Sequence, residues 1–246
     1  MHRFFVSTNQ IRGKTAEITG SDVNHIKHVL RLHLGTHILI CDGISKTYLT
    51  RIKSINIERV ELIIEKELEE SSEPKIKVTL AQCLPKGSKF DFIIQKSVEL
   101  GVYSIIPTLS ERTVPDIKGK EKNKTERWYK IAKQAAEQSG RKIIPEVQPP
   151  MSFEEVLTLK DQYDLALLPW ELEKDKQLKL AIRNREVHSQ VPKLLLLIGS
   201  EGGFSQSEAD KARKAGFATV SLGKRILRTE TAPIAILANI FYELEQ

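Results

Sequence analysis

Apolar and polar residues change rhythm along this chain. Up to about residue 64 the apolar positions come in short runs and alternations. Arg3–Val6 and His37–Cys41 are short apolar runs, and Val60, Leu62 and Ile64 alternate with polar or charged neighbours. Such patterns predict strands with one face buried. Tyr48–Ile55 reads as a further strand, with Asp42-Gly43 a strong turn dipeptide ahead of it. One helix lies among these strands: Val23, Ile26 and Leu30 share a helical face, with Ser21 as the expected cap and Asp22 in the first turn. Residues 67–74, ELEESSEP, are acidic, contain serines and end in proline. That composition suits an exposed linker, so we place a boundary there, with domains at residues 1–70 and 75–246.

Beyond it, strands alternate with helices. Ile76–Ala81, Val102–Pro107, Asp164–Leu168, Leu194–Ile198 and Ala218–Leu222 have the length and apolar content of buried strands. Phe90–Leu100 carries Phe90, Ile93, Ile94 and Val98 on one helical side and stops at Gly101; Glu126–Ser139 stops at Gly140. Ser152 with Glu155, and Ser205 with Glu208, have capping-box spacing, each with an apolar residue, Met151 or Phe204, before the cap. Leu178–Arg183 is followed by a polar connection to Pro192. The alternation predicts an α/β fold: a mostly parallel sheet with helices on both faces, preceded by a small β-barrel.

The stretch Leu194–Pro233 carries the richest chemistry. The strand Leu194–Ile198 breaks into Gly199-Ser200-Glu201-Gly202-Gly203, and the strand Ala218–Leu222 leads into Gly223–Thr231, with Lys224, Arg225, Arg228 and Glu230. Two polar loops thus follow two strands taken as neighbours, and carboxyl ends of strands in open α/β sheets are where small molecules bind. The glycines either make a tight strand-to-helix turn or let backbone approach a ligand. There is no Gly-Lys-Ser/Thr for a triphosphate and no G-x-G-x-x-G.

Charge adds a direction. The formal net charge is +6, which favours an anionic partner. Lys118–Lys133 holds seven Lys/Arg against two Glu, with Trp128 and Tyr129 inside: either a solvated helix face or a strip contacting RNA. On the first helix Lys27, His28 and Arg31 lie opposite the apolar face; this is either a solvated surface or, with Arg3 and Arg12, a set of candidates for RNA contact. Five of the six histidines lie before residue 40, but no His-Glu-x-x-His or cysteine pair accompanies them, so no metal is expected. Cys41 and Cys83 have no metal spacing and suit a reducing cytosol. MHRFFVSTNQ lacks the apolar core of a signal peptide, and no apolar run reaches membrane-spanning length. We expect a cytoplasmic protein without a membrane partner.

LIGSEGGFSQSE followed by LGKRILRTETAPIAI resembles the RsmE family, and the resemblance continues through residues 25–31, 95–102, 110–112, 126–128 and 137–141. It implies an S-adenosylmethionine-dependent methyltransferase of the SPOUT class, with a C-terminal trefoil knot and an N-terminal PUA-like RNA-binding barrel, acting on N3 of a uridine in 16S ribosomal RNA. One departure is Ser200, where the family usually has proline. The resemblance places the cofactor among three loops, at Leu168-Pro169, at Gly199, Ser200, Glu201, Gly202 and Gly203, and at Leu222, Gly223, Ile226, Leu227, Arg228 and Thr231. Leu222, Ile226 and Leu227 either flank the adenine or pack in the core. Arg112 and Arg228 are the candidates for stabilising a uracil anion, and Glu201 or Glu230 could serve as base or only cap a helix or pair with an arginine. Knotted domains of this kind pair as homodimers, and Ile234–Leu244 is apolar on more than one face. A non-catalytic assembly factor of the same fold, or a SPOUT enzyme with another RNA target, are the alternatives.

Overall fold

The structure, a computed structural model, describes residues 1–69, 72–115, 117–183 and 191–245. It divides into two compact units, one of residues 1–73 with 136–144, the other of residues 74–135 with 145–246.

The first unit is a six-stranded mixed sheet. Its strands are β1 (Arg3–Phe5), β2 (Ile11–Arg12), β3 (Thr15–Thr19), β4 (His37–Cys41), β5 (Thr47–Ile55) and β6 (Arg59–Leu68), in the order β1-β4-β5-β6-β3-β2. β1 and β4 are parallel and the other pairs antiparallel. The alternation seen in the sequence sends Ile38 and Ile40, Val60 and Leu62, and Ala16 and Ile18 into one core with Phe4, Val23 and Ile26. The expected helix is more irregular than its periodicity suggested. α1 (Ser21–Asn24) passes directly into a π-helical turn, His25–Val29. Its cap is Gly20, at φ 73°, and not Ser21, which already lies within the helix and makes no capping bond. β6 runs through Glu67 and Leu68, paired with Tyr48 and Thr47, so the first residues expected as linker are strand. Residues 70 and 71 of that stretch lie outside the described residues. Glu73, at its end, accepts from Nη2 of the buried Arg141 at 2.6 Å and from the Lys142 backbone N–H at 2.8 Å.

The second unit holds the all-parallel sheet. Its strands are β7 (Lys77–Cys83), β8 (Ser104–Leu109), β9 (Glu146–Val147), β10 (Met151–Ser152), β11 (Leu165–Pro169), β12 (Lys193–Ile198) and β13 (Ala218–Val220). The order is β10-β8-β7-β12-β11-β13, with β9 also on β8. The helices are α2 (Lys89–Glu99), α3 (Glu121–Ser139, whose residues 136–139 belong to the first unit), α4 (Phe153–Thr158), α5 (Leu178–Arg183), α6 (Gln206–Lys214) and α7 (Thr231–Leu244). Ala81, Cys83, Ile106, Ala166, Leu168, Leu195 and Leu197 form one core with Phe153, Phe204, Ala209 and Ala212 of the α4 and α6 segments. The alternate residues, Val78, Leu80, Ile105, Leu167, Leu194 and Leu196, are buried as fully. That is why these strands read as continuous apolar runs: a parallel sheet covered by helices on both sides leaves no polar face. Burying one such leucine contributes about 1.5–3 kcal/mol against leaving it in water.

Both capping boxes form, Ser152 with Glu155 and Ser205 with Glu208, each cap worth about 1 kcal/mol. α3 starts at Glu121 rather than Glu126, and Trp128 packs edge-on against Phe90 at 4.7 Å between centroids. Trp128 is buried and has no ring face to offer a base, while Tyr129 is exposed. The polar connection after Arg183 includes residues 184–190, which lie outside the described residues. β12 and β13, expected to be neighbours, are separated by β11, which pairs with both. A third strand end, that of β11, therefore stands between the two polar loops.

Candidate active site

The carboxyl ends of β11, β12 and β13 open into a cavity of about 560 Å³, within the usual size range of small-molecule sites. Its wall comes from three segments: Pro169-Trp170-Glu171 after β11, Ile198–Phe204 after β12, and Ser221–Thr229 after β13, joined by Lys89 and Ala232. Of the candidates read from the sequence, Gly199, Ser200, Glu201, Gly202, Gly203, Leu222, Gly223, Ile226, Leu227 and Arg228 all line it. Leu168 does not, being fully buried in the core one residue before Pro169. Thr231 does not either; Thr229 and Ala232 line the wall, and Thr231 begins α7. Lys89, Trp170, Glu171 and Thr229 were missed.

The loop after β12 is a turn and a cavity wall at once. Gly203 N–H donates to the Ser200 carbonyl at 3.0 Å, closing the turn. Gly203 stands at φ 60°, in the left-handed region that branched residues avoid. Gly199 is needed for a different reason: a Cβ there would stand 3.1 Å from the Gly203 backbone, tighter than ordinary contact. The Gly199 carbonyl accepts from Thr229 Oγ1 at 2.8 Å and from Gln82 Nε2 at 3.3 Å. Ser200 is buried, and its hydroxyl donates to the Arg112 carbonyl at 3.1 Å. Arg112 Nη1 returns a bond to the Gly202 carbonyl at 2.7 Å. Arg112 therefore braces the turn from outside the cavity wall, while Arg228 stands in the wall itself.

Glu201 is engaged. Its carboxylate accepts from Lys89 Nζ at 2.8 Å and from the Lys86 backbone N–H at 3.2 Å. Partial burial would raise this carboxyl, but the Lys89 ammonium and the backbone N–H groups outweigh it and hold it below its ordinary value. The hydrogen bond to Glu201 in turn raises Lys89. Glu230 also faces Lys89, at 3.6 Å. Glu201 thus has the features of a structural anion rather than a base. Behind the loops Cys83 is fully buried, and desolvation pushes its thiol up to about 12, so it stays protonated.

A second network sets the outer side of the wall. Glu173 accepts from Thr219 Oγ1 at 2.6 Å and from Arg213 Nη2 at 3.3 Å, and the hydrogen bond from Thr219, with those of the Asp175 and Lys176 N–H groups, brings its carboxyl down to about 2. Arg213 lies over the Trp170 ring at 4.9 Å, and Trp170 Nε1 donates to the Phe204 carbonyl at 3.3 Å. The segment after β11 is thereby tied to both other strand ends.

In the first unit Arg12, Lys27, His28 and Arg31 are exposed. Arg31 takes a left-handed backbone conformation, φ 51°, where the π-helical turn has ended. Arg3 is half-buried and already committed, donating from Nη1 to the Arg141 carbonyl at 3.0 Å. Among the described residues no group of three or more His, Cys, Asp or Glu could hold a metal ion, and no helix is long and apolar enough to cross a membrane.

Comparison with known proteins agrees with this geometry. A family model for an RNA methyltransferase domain matches residues 71–241, and one for an RNA methyltransferase PUA domain matches residues 18–65. The ribosomal RNA small subunit methyltransferase E of Bacillus subtilis is 37% identical over 252 residues, covering 100% of this chain and 98% of its own. That of Mesomycoplasma hyopneumoniae is 34% identical over 97% of this chain and 98% of its own. The crystal structure of the ribosomal RNA small subunit methyltransferase E of Neisseria gonorrhoeae, bound to S-adenosyl methionine, is 33% identical, with a TM-score of 0.87 over 99% of this chain and 98% of that one.

Proposed function

The chain belongs to the family of ribosomal RNA small subunit methyltransferases E, and on that premise we propose that it transfers a methyl group from S-adenosylmethionine to N3 of a uridine in 16S ribosomal RNA. The observation that carries this reading is the cavity at the ends of β11, β12 and β13, walled by backbone of the glycine loop and by apolar Ile198, Leu222, Leu227 and Trp170. Such a wall fits the cofactor: apolar side chains flank a heteroaromatic base, and exposed backbone groups meet its polar edge. The cofactor supplies an activated methyl on a sulfonium.

The protein's part is to hold a uracil in line with that methyl and to favour loss of the N3 proton. Arg228, in the cavity wall, stabilises the negative charge that spreads onto the uracil oxygens. Arg112 acts from outside the wall, through the turn it braces. Glu201, salt-bridged to Lys89, holds the loop. In the first unit Arg12, Lys27, His28 and Arg31 contact the RNA backbone, with Arg3 adding charge from a more fixed position. The segment after β13 threads as the trefoil knot of the SPOUT class. α7 pairs with a second copy of the chain: Ile236, Leu237, Ile240 and Phe241 are buried within the chain, while Ile234 and Leu244 remain half-buried and Tyr242 exposed. The enzyme works in the cytoplasm, where its RNA is.

The test is to map modified nucleosides in ribosomal RNA from cells lacking the protein. Loss of one N3-methyluridine from the small-subunit RNA, restored by the wild-type gene, is the expected result. An unchanged nucleoside map contradicts the assignment.

A further inference from the structure

The carboxylates around the cavity are almost all spoken for. Glu201 and Glu230 face Lys89. Glu173 is taken by Thr219 and Arg213, and Glu208 by the backbone N–H groups of Ser205 and Glu111. Glu171 differs. It lines the cavity two residues beyond the end of β11, and among the described residues its carboxylate has no hydrogen bond or ion pair. Both its oxygens lie against the α-carbon of Gly203, 2.8 and 2.9 Å from where a Cβ would stand. The missing side chain at Gly203 therefore does two things: it permits φ 60°, and it leaves a seat for this carboxylate on the cavity wall.

A carboxylate offers two acceptors in one plane and no donor, so its partner must present donors, either a pair of hydroxyls or an ammonium. Position decides between them. Glu171 follows Trp170 directly, on the wall shared with Ile198 and Phe204, whereas the cations Lys224, Arg225 and Arg228 stand on the loop after β13. The apolar wall suits a nucleobase, and the sugar is the moiety covalently joined to that base. We propose that Glu171 binds the vicinal hydroxyls of the cofactor's ribose, an inference that rests on the cofactor reading given above.

The test is calorimetric titration of the full chain with S-adenosylhomocysteine, which has the ribose and no sulfonium charge, and with its 2′-deoxy, 3′-deoxy and deaminated analogues. Wild type, Glu171→Ala and Glu171→Gln are compared, with thermal melts to confirm folding. Glu171→Ala is expected to weaken binding of the parent roughly ten- to a hundredfold, the effect of losing hydrogen bonds to a charged group. Removing a hydroxyl should cost the wild type a similar factor and cost Glu171→Ala little, because the partner is already gone. Glu171→Gln, which keeps one acceptor, should lie between. Parent affinity unchanged in folded Glu171→Ala overturns the proposal, as does an equal deoxy penalty in both proteins. A penalty for the deaminated analogue that vanishes in Glu171→Ala overturns it in favour of the ammonium. Failure of the folded wild type to bind the parent at all refutes the cofactor reading instead.

Discussion

The two loops that flank the cavity are built in opposite ways. Gly199–Gly203 is fastened residue by residue: to Thr229 and Gln82 at Gly199, to Arg112 at Ser200 and Gly202, and to Lys86 and Lys89 at Glu201. Among the described residues Gly223–Arg228 is held only at its ends, where Gly223 N–H donates to Ser221 Oγ and the Arg228 carbonyl accepts from Thr231 and Ala232. Among the described residues Lys224, Arg225, Ile226 and Leu227 enter no hydrogen bond, and Ile226 is 86% exposed although it lines the cavity mouth. The first loop is thus shaped before any ligand arrives, which lowers the entropy cost of binding. The second retains freedom to fold onto whatever enters, and its apolar Ile226 gains burial only then. The division suits a site that must hold a small cofactor in one geometry and still admit a large, anionic second substrate.

The preformed loop is most vulnerable at Gly203. Gly203→Val forces a branched residue into the left-handed region, at about 1–3 kcal/mol of strain. Its Cβ also displaces the Glu171 carboxylate from its seat on the cavity wall, so backbone strain and the loss of that seat both weaken cofactor binding. Cofactor affinity should fall at least about tenfold, equivalent to ~1.4 kcal/mol. Calorimetry beside an RNA gel shift checks this; RNA binding by the first unit, which has its own core, should persist.

Arg112→Ala comes next. It removes the guanidinium from the Gly202 carbonyl, and hydrogen bonds to charged groups are worth about 1.5–3 kcal/mol. Much of that is recovered by water at this exposed position, so we expect a loss of about three- to tenfold in cofactor affinity, partly restored in Arg112→Lys. An unchanged dissociation constant in the alanine variant shows that the turn holds without its brace. The smallest effect belongs to the second loop. Ile226→Ser should leave the melting temperature of the free protein unaltered, since surface changes are usually within about ±0.5 kcal/mol. It should weaken the cofactor only a few-fold, and a clear drop in free-protein stability would mean that this loop is fastened too.

This contrast was only half legible in the sequence. The capping box of Ser205 and Glu208 and the apolar run of β12 follow from local spacing, and both loops were visible as breaks after apolar runs. What fastens the first loop was not. Arg112 and Ser200 are 88 residues apart, and Gln82 and Thr229 are 147 apart; such pairs are set by topology, which periodicity does not encode. The same gap explains why β12 and β13 read as neighbours although β11 lies between them. Trp170 and Glu171 lie just past the strand end Leu168-Pro169, in the loop where binding residues concentrate, but no local spacing marks them as cavity lining. Ser200, the departure from the family's usual proline, turns out to supply by a hydroxyl bond to Arg112 some of the fixation that a ring would provide.

We propose that the cofactor binds between one preformed loop and one adaptable loop. Hydrogen–deuterium exchange of the whole chain, with and without saturating S-adenosylmethionine, tests it most directly. Residues 199–203 should exchange slowly already in the free protein, and residues 223–228 should slow strongly on binding. Residues 1–69 should not change. Fast exchange at 199–203 in the free protein, or protection that appears outside the three segments after β11, β12 and β13, would contradict it.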